Sequence, residues 1–237
     1  MCTVSLVAQP EIYNAFILTF NRDEAVNREN LPPSWETYSG KRLYFPKDKV
    51  AGGTWLGVSE KKRLVCLLNG GFKNHRRKES YRKSRGVVVK DFLANEEVNE
   101  EILNYPLEDI EPFTMIIVDW RKELIFIEFV WDGNERHRKH LPLTSHIWSS
   151  SPLYSEEIKA QRLEWFKDVK DEKELDAEAL LEFHHSAGAG DKNSGLIIDR
   201  GFLKTQSISQ VEKTSDALRF WYKELAGGKV SEEFLKV

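Results

Sequence analysis

Two runs of β-branched, aromatic and aliphatic residues, 3–8 and 13–21, flank the turn sequence Gln9-Pro10-Glu11-Ile12. Such residues fit a pleated, half-buried surface, and a polar, proline-bearing break between them is a turn, so the chain opens as a β-hairpin from residue 3. The pattern recurs at 54–59 and 63–68, around Glu60-Lys61-Lys62, with glycine pairs at 52–53 and 70–71 on the outer ends. A meander follows over 113–118, 124–131 and 136–141, and a last hairpin joins 205–211 to 217–222 through a turn at 213–216. Helical spacing is confined to the stretches between: 87–104 before Pro106, 155–169 with Ile158, Leu163, Trp165 and Phe166 at helical intervals, and 175–185. Strands at both ends with helices between them predict packed sheets with helices outside, an α+β arrangement.

The 237 residues are 41% hydrophobic and 31% charged, the profile of a folded protein, and the length fits a single domain over 1–237. The 35 basic and 38 acidic residues leave a formal charge of -3, so no global field argues for nucleic acid or an anionic membrane. Cys2 and Cys66 make no disulfide framework or metal motif, which predicts a reducing compartment. No run approaches the roughly 20 apolar residues of a membrane helix. The N-terminus lacks a basic region and cleavage site, so a cytoplasmic location without integral membrane contact is expected.

The first hairpin also carries chemistry. If Gln9 and Ile12 close the turn, Cys2 lies opposite roughly Thr19, and Asn21-Arg22-Asp23-Glu24 emerges beside the thiol. Local pairing alone therefore brings a thiol, an Arg and carboxylates to one sheet end. Removal of Met1 before the small residue Cys2 would put an α-amine, with a reference pKa of about 7.7–8.0, on the same residue as the thiol. Such an amine accepts the thiol proton near neutral pH, and a neighbouring Arg favours the thiolate further. This is how an N-terminal nucleophile works.

Met1-Cys2-Thr3-Val4, Asn21-Arg22-Asp23-Glu24, Gly53-Thr54-Trp55-Leu56-Gly57, Leu68-Asn69-Gly70 and Ser84-Arg85-Gly86, in this order, resemble the NRDE family, also called the transport and Golgi organisation protein 2 family. The resemblance implies the four-layer αββα sandwich of N-terminal-nucleophile hydrolases, with two mostly antiparallel sheets between helices. It implies Cys2 as nucleophile, Arg22 beside the thiol, and Asp23 holding the α-ammonium or a substrate amine. Asn69 and the Gly70 N–H would form the oxyanion hole, where each preorganised donor is worth about 3 kcal/mol. Asn21, Glu24, Thr54, Trp55 and Arg85, lying in the matching motifs, would line the substrate site. The same resemblance implies an Asn after the middle strands and a Gly-Thr-Arg-Ser run near the last hairpin. This chain has Leu143-Thr144-Ser145-His146 and Lys204-Thr205-Gln206-Ser207 there, so an amide and a positive charge are expected to be missing.

The basic segment 73–85 holds seven Lys and Arg against Glu79, but the acids of 96–111 follow closely, so a solvated loop rather than a nucleic-acid site is expected. His137 and His140 lie three apart on a strand and point to opposite faces, and His184-His185 ends a helix, so no metal is assigned. The leading expectation is a cysteine amidohydrolase acting on a linear amide or related acyl bond, with no cofactor. The alternative is a non-catalytic carrier for a hydrophobic ligand such as haem or a lipid, related to trafficking; oligomeric state is left open.

Overall fold

The computed structural model describes residues 2–236. In chain order the elements are β1 (Cys2–Gln9), β2 (Ala15–Ala25), β3 (Asn30–Tyr38), β4 (Lys41–Asp48), β5 (Leu56–Ser59), β6 (Arg63–Asn69), α1 (Arg85–Ala94) and α2 (Val98–Asn104). There follow β7 (Phe113–Asp119), β8 (Ile125–Trp131), β9 (Arg136–Leu141), β10 (Ser145–Ser149), α3 (Glu156–Glu172), α4 (Ala177–Ser186), β11 (Leu203–Lys213), β12 (Leu218–Glu224) and β13 (Val230–Leu235). They divide into two compact units, one of residues up to 27 together with 143–236, the other of 28–142.

The first unit is a six-stranded antiparallel sheet in the order β10-β1-β2-β11-β12-β13 with α3 and α4. Alternation along the strands sends Val7 and Ile17 to the helical side, where they meet Phe166, Leu175, Leu180, Phe183 and Leu196. Both helices start at polar caps: Ser155 accepts from the Ile158 N–H at 3.4 Å and Asp176 from the Ala179 N–H at 2.8 Å.

The hairpin expected at the N-terminus is present with a longer connection. Ile12 N–H does bond the Gln9 carbonyl at 3.0 Å, but a second turn follows, with Ala15 N–H on the Ile12 carbonyl at 3.2 Å and Asn14 left-handed at φ 54°. Tyr13 is therefore outside the strand, Gln9 pairs with Ala15, and Cys2 faces Arg22 instead of Thr19.

The second unit is a seven-stranded antiparallel sheet whose strands β3 to β9 lie side by side in chain order. One face packs Val65, Leu67, Met115, Ile117, Ile127 and Phe129 against Val88, Val89, Phe92 and Leu93 of α1 and Val98 and Ile102 of α2. Strands β3 and β4, and the short β10 and terminal β13, are absent from the sequence reading. Pro32 and Pro33 fall where the β3–β4 register breaks between Leu31 and Ser34, because proline has no N–H for the ladder.

Candidate active site

The site grows from the end of the first hairpin. Cys2 and Arg22 are directly paired across β1 and β2, so their side chains leave the same face of the sheet. The next pair, Thr3 and Asn21, faces the helices. Cys2 is 3% exposed, and burial, the largest influence, pushes its thiol above the ordinary range. The negative charges of Asp23 and Glu24 act in the same sense, while Arg22 acts against them.

Arg22 is held from β11. A bulge between Thr205 and Ser207 inserts Gln206, whose Oε1 accepts from Arg22 Nη1 at 2.9 Å while its Nε2 donates to the Ala25 carbonyl. The other arm of the guanidinium faces Glu24 Oε2 at 3.7 Å, and Glu24 Oε1 accepts from the Ala25 N–H at 3.0 Å. Near the last hairpin, where the positive charge was expected to be missing, Gln206 stands at the position of that Arg and turns its amide onto Arg22.

Asp23 is fully buried and receives two hydroxyl donors, Tyr154 at 2.5 Å and Thr205 at 2.6 Å. Burial raises its carboxyl pKa, while those hydrogen bonds and the Arg162 charge pull the other way. Tyr154 is pushed well above its ordinary value, chiefly by burial and then by Asp23, so it keeps its proton and donates. Arg162 stacks 3.6 Å over the Tyr154 ring and bonds Thr3 Oγ1 at 2.5 Å and the Gly195 carbonyl at 2.6 Å.

The backbone nitrogen of Cys2 has its own partner. Its N–H donates to Ser150 Oγ at 2.9 Å, and the Ser150 N–H returns a bond to the Cys2 carbonyl at 3.0 Å. Ser150 follows β10, whose Ser149 pairs with Thr3. The segment Leu143-Thr144-Ser145-His146 lies at the opposite end of β1, where His146 pairs with Leu6 and the Thr144 carbonyl accepts from Ala8 N–H at 3.3 Å. The residue beside Cys2 after the middle strands is therefore Ser150.

Several residues expected in the substrate site are engaged by the surrounding structure. Asn21 is fully buried and donates to the His184 and Leu196 carbonyls at 2.9 and 2.8 Å. Its Oδ1 is thereby the atom turned to His184 Nδ1 at 2.8 Å, which fixes the Nδ1–H tautomer and leaves Nε2 to accept from Ser5 Oγ at 2.8 Å. This Ser-His-Asn chain is wholly buried, so it is core rather than a second nucleophile. In the second unit, Thr54 is 2% exposed and bonds the Pro46 and Leu56 carbonyls, both at 2.7 Å. Trp55 is buried as well. Arg85 pairs with Glu111 at 3.0 Å and donates to the Pro112 carbonyl at 3.0 Å. The Gly70 N–H, expected as an oxyanion donor, is taken by the Pro112 carbonyl at 3.0 Å, which leaves the half-buried Asn69 side chain as this turn's polar group.

Of the residues around Cys2, the hairpin brings Arg22, Asp23 and Glu24, all legible in the sequence. Ser150, Tyr154, Arg162, Thr205 and Gln206 arrive from 120 or more positions away, and no local pattern announces them. Among the described residues no group of three or more His, Cys, Asp or Glu is placed to hold a metal ion.

Three solved structures similar to this chain are hydrolases by name. Two are variants of conjugated bile acid hydrolase from Clostridium perfringens, each with a TM-score of 0.56, at 12% and 11% identity, covering 98% and 99% of this chain and 92% of theirs. A third is the Caenorhabditis elegans ortholog of N-acylethanolamine-hydrolyzing acid amidase, with a TM-score of 0.55 at 11% identity, covering 89% of this chain and 92% of that one. No curated protein matches the sequence. At these identities the likeness establishes the fold, the α+β fold of N-terminal-nucleophile hydrolases with two antiparallel sheets and helices, as the family resemblance implied. The family described as Transport and Golgi organisation 2 matches residues 1–213, across the Asn21-Arg22-Asp23-Glu24 block and through the end of β11, and the chain belongs to that family.

Proposed function

We propose that this protein is a cysteine amidohydrolase of N-terminal-nucleophile type, cleaving a linear amide or related acyl bond through Cys2 once Met1 is removed. The observation that carries the reading is the pairing of Cys2 with Arg22 at a strand start whose backbone nitrogen is itself anchored, 2.9 Å from Ser150 Oγ. With Met1 gone that nitrogen is an amine, and it takes the thiol proton. The thiolate, facing the Arg22 guanidinium, attacks the substrate carbonyl, and the ammonium returns the proton to the departing amine. Water then hydrolyses the thioester and restores Cys2. The similar structures, a bile acid hydrolase and an acid amidase by name, support an amide substrate with an apolar acyl part.

The burial of Cys2 and the upward push on its thiol favour a second reading, a carrier of a hydrophobic ligand that retains the fold without turnover. One experiment separates the two. Intact mass shows whether Met1 is removed, and the processed protein is then assayed on a panel of N-acyl amides beside Cys2→Ala. Turnover by the wild type, lost in a folded Cys2→Ala protein, supports the hydrolase. Retained Met1, or no turnover with ligand binding unaffected by Cys2→Ala, supports the carrier.

A further inference from the structure

Ser150 is 2% exposed, and its hydroxyl is aimed at one atom, the Cys2 nitrogen. Its backbone is fixed on both sides: N–H to the Cys2 carbonyl at 3.0 Å, carbonyl to the Leu153 and Tyr154 N–H groups at 3.3 and 3.2 Å. The turn so formed delivers Tyr154 to Asp23, and Asp23 adjoins Arg22, the cross-strand partner of Cys2. A closed circuit of contacts, Cys2 to Ser150 to Tyr154 to Asp23 and back through β2, therefore holds both the thiol and the nitrogen. Asp23 Oδ1 and Oδ2 are engaged by Thr205 and Tyr154, and the neutral Ser150 hydroxyl is the group that meets the nitrogen.

We propose that Ser150 is the positioning residue for the amine base: its Oγ accepts one N–H of the Cys2 α-amine, and so directs the nitrogen lone pair toward the thiol. This rests on the hydrolase reading above. In the step it serves, the proton leaves Sγ for the nitrogen, giving thiolate and ammonium; Ser150 neither gains nor loses a proton. A hydrogen bond to the charged ammonium is stronger than one to the neutral amine, so Ser150 favours the thiolate–ammonium pair.

The alternative role is to satisfy a buried peptide N–H, which any Cys2 nitrogen would require. The two roles differ in whether the nitrogen ionises. The experiment compares protein released from a cleavable fusion so that Cys2 is the first residue with protein that retains Met1. In both forms the rate of iodoacetamide addition to Cys2 is followed by intact mass from pH 5 to 10, with Cys2→Ala as background. In the Cys2-first form, Ser150→Ala is expected to raise the midpoint by about half to one pH unit, an alkylation roughly three- to tenfold slower at pH 7, and Ser150→Thr to restore it. In the Met1 form, where the nitrogen is an amide, Ser150→Ala is expected to leave the midpoint in place. An unmoved midpoint in the Cys2-first form, or equal shifts in both forms, overturns the proposal. Should Ser150→Ala not fold, Ser150→Gly takes its place under the same criteria. Failure of the hydrolase reading registers separately, as absent amide turnover by the Cys2-first wild type whatever the alkylation profiles show.

Discussion

Tyr154 links the two halves of the candidate site through a single hydroxyl, and its contribution can be isolated. Tyr154→Phe keeps the ring beneath Arg162 and removes the hydroxyl, with its 2.5 Å donation to Asp23 and its contact with the Arg162 guanidinium. A buried carboxylate that loses one donor costs about 1–3 kcal/mol, so the urea midpoint is expected to fall accordingly, while a loss under about 0.5 kcal/mol would show that Thr205 alone suffices for Asp23. His184 tests burial in a different way. Burial, then the charges of His185 and Arg162, holds its pKa at about 3, far below the ordinary 6.5. Between those values the unfolded chain binds a proton that the folded chain refuses, so stability is complete above pH 6.5 and declines as pH falls toward 3, by up to about 1.4 kcal/mol per unit. Asp23, with its pKa raised, acts in the opposite sense, favouring the folded state at lower pH. The decisive quantity is therefore a difference: the slope of unfolding free energy between pH 6.5 and 5 is expected to flatten in His184→Gln, and equal slopes would mean that other groups set it.

At the scale of elements, glycines from two motifs of the family resemblance pack on one another. Gly53, just before β5, lies against Gly86 in the first turn of α1, where the Thr54 N–H bonds the Gly86 carbonyl at 3.0 Å. A Cβ on Gly53 would come within 2.5 Å of the Gly86 carbonyl carbon, backbone that has no rotamer to escape into. Gly53→Ala is thus expected to cost about 1–3 kcal/mol or more by prising the helix from the sheet, and an unchanged thermal midpoint would refute this account of the motif. A glycine required by a close approach and one required by a ligand look identical in sequence, so the close packing of Gly53 on Gly86 was not legible there. The strands that were legible, β1, β2, β5 to β9, β11 and β12, carry apolar alternation or short apolar runs bounded by turns. Those that were not are mostly edges: β3 with Pro32-Pro33, the five-residue β10, and β13 with Glu232-Glu233. Edges are shortened, charged or broken to discourage further pairing, so they lose the pattern by which a strand is recognised. The register of the first hairpin was missed by three positions because Asn14 extends the turn, and Arg22 meets Cys2 because β2 runs on through the charged block to Ala25.

At the scale of the molecule, the near balance of 35 basic and 38 acidic residues is reproduced locally where the sequence looks most lopsided. The basic segment 73–85 folds onto the acidic loop that follows α2. Glu111 faces His75, Arg77 and Arg85 at 3.3, 3.8 and 3.0 Å, Asp109 meets Lys78 at 2.9 Å, and Asp91 meets Lys83 at 2.7 Å. Arg82 donates to the Pro106 and Glu108 carbonyls at 2.5 and 3.2 Å, capping the loop instead of projecting from it. The exposed Lys78–Asp109 pair adds little stability by itself, but together with the more covered pairs on Glu111 and Asp91 it cancels the field that a phosphate backbone would need. A nucleic-acid site with 6–10 phosphate contacts loses about 10³–10⁵ in affinity between 50 and 200 mM salt. Oligonucleotide binding by this protein, followed by fluorescence anisotropy over that range, is expected to be weak throughout and to change by less than about tenfold. Glu111→Gln separates local neutralisation from simple lack of a binding face. It removes the shared carboxylate from three basic side chains at once, so if cancellation is what silences the segment, the variant should gain a measurable salt-dependent affinity that the wild type lacks. A steep salt slope in the wild type itself would mean that these pairs open to a polyanion, and that the segment reads phosphate after all.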